Sequence, residues 1–224
     1  STLGMIALGA FVLLIVYGIS SSIRETGKVW SVVKASGFVE LSKDDKSLDN
    51  ALYALNPNWS AANVRYRNQG QRREYVFNLN IYDPKLDEKD MASETYAAII
   101  SPHLNVPHFK LYPRVQGYGK LGDLPNALVG KVVEALPRIA IDISPEFAQR
   151  YYVHAADEAA VTALLSAGRQ RKLGDPAMLL LNLEGKGDTL VYHSAQALDK
   201  SSGLSNEEKA HKFVNAGGWL EELF

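Results

Sequence analysis

No charged residue occurs before Arg24, and the stretch Leu3-Gly-Met-Ile-Ala-Leu-Gly-Ala-Phe-Val-Leu-Leu-Ile-Val-Tyr-Gly-Ile19 is almost wholly apolar. As a helix, the span from Leu3 to Ile23 would be about 31 Å long, matching the hydrocarbon thickness of a bilayer. No later part of the chain has a comparable run. The run therefore predicts a transmembrane anchor over 1–23, a juxtamembrane helix over 24–36 and a globular domain over 37–224. A cleaved signal peptide is the alternative, with Gly18-Ile19-Ser20 as its small-residue site, but no basic region precedes the run. Basic residues follow it at Arg24, Lys28 and Lys34. The positive-inside rule then places the domain in the cytoplasm, with the protein crossing the membrane once. Gly4, Ala7, Gly9 and Ala10 put small residues on the span, where helices can approach closely. Trp30, among Lys and Arg, suits the interfacial belt.

About 200 residues remain after the anchor, enough for one substantial domain. Lys+Arg 24 against Asp+Glu 25 leaves a net charge of -1, which removes the electrostatic case for nucleic acid. The absence of cysteine excludes disulfides, thiolate metal sites and a cysteine nucleophile.

Two stretches read as β-hairpins. In the first, Asn63–Asn68 leads through Gln69-Gly-Gln-Arg72 to Arg73–Asp83, where Tyr75, Phe77, Leu79 and Ile81 alternate as in a half-buried strand. In the second, Met178–Glu184 and Thr189–Ser194 flank Gly185-Lys-Gly-Asp188. Further strands are predicted at Thr95–Ile100, His108–Tyr112, Arg138–Ile143 and Tyr151–His154. Helices are predicted through Leu48, Leu52 and Leu55, over Asn126–Leu136, from Pro145, and from Asp157 through Leu165. A C-terminal helix opens on the capping box Ser205-Asn-Glu-Glu208 and carries Phe213, Val214, Trp219, Leu220 and Leu223. Mixed elements with two hairpins give an α+β class, mainly antiparallel.

Chemistry-bearing motifs are weak. Gly117-Tyr-Gly-Lys-Leu-Gly122 with Asp142 fits a dinucleotide fingerprint in spacing. However, Pro113 separates it from the preceding strand and Pro125 delays the following helix, so a plain glycine loop is the reading. His103, His108, His154, His193 and His211 form no metal-binding pair; His154 and His193 alternate on strands and could meet across a sheet. No nucleophile elbow occurs, and adjacent carboxylates such as Asp44-Asp45 lie in charged runs. Neither a catalytic residue nor a cofactor is expected. Arg65, Arg67, Arg72 and Arg73, interleaved with Tyr66 and Tyr75, form the one local basic cluster. With Arg24, Lys28, Trp30 and Lys34 they are candidates for contact with lipid headgroups or an acidic partner.

Several stretches carry a resemblance: Tyr75-Val-Phe77, Pro107-His-Phe-Lys-Leu-Tyr-Pro113, Pro145-Glu-Phe-Ala-Gln-Arg-Tyr151, Asp157-Glu-Ala-Ala-Val161 and Leu181-Asn-Leu-Glu-Gly-Lys-Gly-Asp188. Over about residues 60–195 the chain resembles a poorly characterised group of bacterial membrane-anchored α+β domains. The resemblance implies fold and anchoring and brings no catalytic residues. The expected function is a non-enzymatic accessory or scaffolding subunit. It would dock on integral membrane proteins of a larger complex, such as an energy-transducing one, in contact with membrane lipid. The alternatives are a membrane-tethered ligand-binding or sensory module and an enzyme of unrecognised type.

Overall fold

The computed structural model describes residues 28–82, 94–114, 136–139, 144–194 and 205–224. Helical backbone over 28–35 forms α1, and its Val29, Val32 and Val33, spaced along one stripe, are buried. Gly37 ends it in the left-handed region, φ 77°, where a glycine meets no Cβ penalty. After the two-residue β1 (Val39–Glu40), α2 (Ser47–Leu55) buries Leu48, Leu52 and Leu55.

Strand β2 (Trp59–Gln69) and β3 (Arg72–Ile81) make the first hairpin, with Gly70 at φ 64° in its turn. Next come β4 (Glu94–Ile100) and β5 (Val106–Pro113). The short helix α3 (Pro145–Arg150) has proline in its first turn and Ser144 as cap, and runs directly into β6 (Tyr151–Ala155). Helices α4 (Glu158–Leu164) and α5 (Ala167–Gly174) lead to the second hairpin, β7 (Leu181–Gly187) and β8 (Thr189–Ser194). The chain closes with α6 (Asn206–Val214) and α7 (Ala216–Leu223).

All eight strands join one sheet in the order β1-β2-β3-β4-β8-β7-β5-β6, and every pairing is antiparallel. Alternation along the strands sends Val76, Ile99, Leu111, Leu183 and Tyr192 to one face. That face is covered by α1 and by α3 through α7, which contribute Phe147, Val161, Leu173, Phe213 and Leu220 to the same core. The opposite face carries a smaller core in which α2 packs on Tyr75, Phe77, Leu79, Ala98 and Val191.

The α+β class, both hairpins, the predicted strands at 95–100, 108–112 and 151–154, and the capping box are all present. Three details differ. Pro107 lies inside β5 instead of bounding it, while Pro113 is its last residue. The helix from Asp157 stops at Leu164, and Ser166 starts a second one, α5, whose low apolar content hid it. The C-terminal helix is broken at Asn215, whose backbone (φ -102°, ψ 12°) is not helical, so α6 and α7 are separate. Helix α1, within the predicted juxtamembrane element 24–36, packs Val29, Val32 and Val33 into the body's main core. Among the described residues no helix is long and apolar enough to cross a membrane. The apolar run, with Gly4, Ala7, Gly9, Ala10 and Arg24, lies outside them, as do Gly117–Gly122, Asp142 and the predicted helix over Asn126–Leu136 apart from Leu136.

Candidate functional site

The basic cluster turns out to be mostly an internal device. Glu74 of β3 has a side chain only 3% exposed, and it accepts from Arg67 Nε at 2.6 Å and Arg72 Nε at 2.7 Å. Arg67 also donates to Ser36 O and to Asn215 Oδ1, both at 3.0 Å, with its guanidinium over the Phe38 ring. Arg72 bridges on to Glu221 of α7, whose other oxygen accepts from Ser101 Oγ. The Glu221 carboxyl is held below its ordinary value: burial alone would raise it, but the bonds from Ser101 and Arg72 outweigh burial. Burial also works against charge on Arg72, and its two carboxylates more than restore it. The network ties the end of α1, the first hairpin and the two C-terminal helices into one unit.

Arg73 pairs with Asp45 at 2.9 Å and donates to Ser47 Oγ, and Arg65 stands 3.6 Å from Glu40. All four arginines thus have a carboxylate partner, and Arg67 and Arg72 are turned inward. Lys28 and Lys34 are exposed on α1, whereas Trp30 is partly buried against the main core.

A second polar assembly lies on the α2 side of the sheet, towards its β6 edge. Cross-strand register sets Ala98, Val191, Glu184, Lys110 and His154 in one row from β4 to β6. In its middle, Lys110 Nζ (side chain 4% exposed) is 3.0 Å from Glu184 Oε2 (8% exposed). The other Glu184 oxygen meets His108 Nε2 at 3.1 Å, and Lys110 lies over the Trp59 ring at 5.8 Å. The adjacent row holds Tyr96 and His193, with rings 4.8 Å apart, then Asn182, Tyr112 and Tyr152. Burial lowers the basicity of His193, partly offset by Glu94. Burial likewise raises the Tyr96 and Tyr112 hydroxyls. Arg114 and Arg138 each stack on Tyr152, at 4.0 and 4.1 Å.

His154 and His193 share this face but do not meet. Strands β7 and β5 stand between β8 and β6, so the two rings are three strand spacings apart, about 14 Å. His154 Nδ1 bonds Leu136 O and its ring sits edge-on to Tyr112. No group of three metal-ligating side chains converges among the described residues. Glu184 meets Lys110 and His108 within the protein, a self-satisfied arrangement that fixes register as a buried polar network can. Sequence reading named His108 but missed Lys110 and Glu184, because their meeting depends on a β5–β7 pairing between distant segments.

A third feature lies at the β2 edge. An open cleft of about 650 Å³ runs between α1, the 41–46 loop, the start of α2 and β2. Trp30, Leu41, Leu48 and Val64 are among its walls.

These features define an antiparallel α+β domain with a shallow cleft and internally paired charges. No family model, curated protein or solved structure matches the chain. The function is accordingly argued from the chain's own chemistry.

Proposed function

We propose that this protein is a membrane-tethered docking subunit that holds its α+β body against a larger membrane assembly through protein contacts. The observation that carries the reading is the seating of α1. Val29, Val32 and Val33 lie in the main core, and Val29 is six residues beyond the end of the apolar run at Ile23. Six residues span at most about 21 Å, so a bilayer-embedded run holds the body near the membrane surface. Burying three valines contributes roughly 1.5–3 kcal/mol each, enough to keep α1 seated while the run is under load. Arg67, bonded to Ser36 O, carries the attachment from α1 into the first hairpin and α7. Such short coupling suits a scaffold that presents one fixed face to neighbours, with Lys28 and Lys34 available to lipid headgroups or an acidic partner.

The test is gentle solubilisation of native membranes, followed by sizing and mass analysis of what travels with the chain. Co-migration in fixed proportion with one large complex is the expected result. A lone small particle, or extraction of the chain by alkaline carbonate, would remove the proposal.

A further inference from the structure

In a flat sheet the strands between them would hold β2 and β5 about 24 Å apart, beyond the joint reach of a tryptophan and a lysine side chain. Lys110 Nζ nevertheless lies 5.8 Å from the centre of the Trp59 ring. The sheet therefore curls around α2, and Lys186 of β7 donates to Ala54 O near the end of that helix at 2.9 Å. Just beyond the helix, Trp59 hangs over the concave face where β7 and β5 cross it. Tyr96, His193, Asn182 and Tyr112 follow one another across β4, β8, β7 and β5 and line the hollow beside the Glu184–Lys110 pair.

Donors outnumber acceptors in this hollow. Glu184 itself is satisfied, with one oxygen beside Lys110 and the other beside His108. Lys110 carries three N–H groups, and among the described residues Glu184 is the one acceptor beside it, although its side chain is only 4% exposed. Trp59 Nε1 is shut off from solvent and has no acceptor. Burial, with carboxylate charge adding to it, keeps the Tyr96 and Tyr112 hydroxyls protonated and able to donate. Buried donors are as a rule satisfied, so this surplus calls for oxygen atoms from outside the chain.

Charge points the same way. Arg114 and Arg138 stack on Tyr152, the neighbour of Tyr112 across β5 and β6, and neither has a carboxylate partner among the described residues. With Lys110 they set three permanent cations against Glu184 and, at the rim beside His193, Glu94. We propose that the hollow binds a small organic carboxylate, whose oxygens take the N–H groups of Lys110 and Trp59 and whose apolar part rests on the Tyr96 and Tyr112 rings. Two bonds of about 2.9 Å from one carboxylate bridge the gap between Lys110 and Trp59. A monoanion matches the surplus of one cation, and the aromatic walls suit an organic body better than a bare hydrated ion. This site goes beyond the docking reading and does not depend on it.

The test uses the full chain, isotope-labelled and in a mild detergent, with benzoate as the probe. Trp30, Trp59 and Trp219 each give one indole N–H signal in nuclear magnetic resonance, and Trp59→Phe identifies the one from Trp59. Benzoate is expected to shift that signal saturably and to leave the other two in place. Trp59→Phe keeps an aromatic ring and removes the N–H, while Lys110→Gln removes the charge. By calorimetry each should weaken benzoate binding by about tenfold or more, with the unfolding midpoint of Trp59→Phe unchanged. If Lys110→Gln does not fold, the titration of the unaltered chain and the Trp59→Phe calorimetry decide. No saturable shift of the Trp59 signal overturns the proposal and leaves water as the filling of the hollow. Unchanged affinity in the variants, or equal shifts of all three indoles, overturns the site. An equal shift with inorganic phosphate overturns the carboxylate in favour of oxyanions at large. The chain is tested apart from any companion, so each of these outcomes leaves the docking reading where it stood.

Discussion

Glu74 is the place where one substitution should do most damage without changing the size of a side chain. In Glu74→Gln the carboxylate that accepts from Arg67 at 2.6 Å and Arg72 at 2.7 Å becomes a neutral amide. Arg72 keeps Glu221, but Arg67 is left with Ser36 O and Asn215 Oδ1 and no carboxylate. Charge-assisted bonds are worth about 1.5–3 kcal/mol each, and breaking a buried pair from one side costs about 3–5 kcal/mol. A loss of about 3–5 kcal/mol is therefore expected. Arg65→Ala is the contrast: its 3.6 Å pair with Glu40 is exposed, and its loss should cost under about 1 kcal/mol. The assay is urea unfolding of the full chain in a mild detergent, followed by circular dichroism, with both variants measured beside the parent. If Glu74→Gln costs no more than Arg65→Ala, the buried network is not what joins the hairpin to α7, and the reasoning fails.

Two further outcomes follow from the geometry. His193 resists protonation in the fold because it is largely withdrawn from solvent, so the unfolded chain binds that proton more readily. Stability is then complete above the unfolded value near 6.5 and declines as pH falls below it. Unfolding midpoints measured from pH 7.5 to 5.5 should fall, and His193→Gln should flatten that slope; an unchanged slope refutes the assignment. Gly185→Ala would place a Cβ 2.6 Å from Phe109 Cε1 and 2.9 Å from Leu190 Cδ1. A destabilisation of about 1–3 kcal/mol is expected from the resulting overpacking, and a thermal midpoint equal to the parent's would contradict the packing described.

Local pattern and tertiary outcome part company at identifiable residues. The Tyr75, Phe77, Leu79 alternation, the Leu48, Leu52, Leu55 stripe and the Ser205–Glu208 capping box are properties of a few neighbouring residues, and each element is where those patterns place it. The break at Asn215 was not legible, because the apolar positions continue across it; it lets α7 bring Gly217 against Glu74 and Ile99, where a Cβ would stand 2.8 Å from each. The role of the arginines was equally hidden. Clustered in sequence around one turn, they read as a basic patch, and the partners that neutralise Arg72 and Arg73 include Glu221 and Asp45, far away along the chain.

The sequence by itself determined both hairpins and the strongly patterned helices, that the domain is α+β, and that a long apolar run precedes it, since all of these depend on periodicity and composition within short windows. Only the tertiary structure decided the strand order, which separates His154 from His193 by two strands and joins Lys110 to Glu184. Strand order rests on pairings between segments dozens of residues apart. Backbone hydrogen bonds are alike at every position, so they carry no label in the sequence to say which strands will meet.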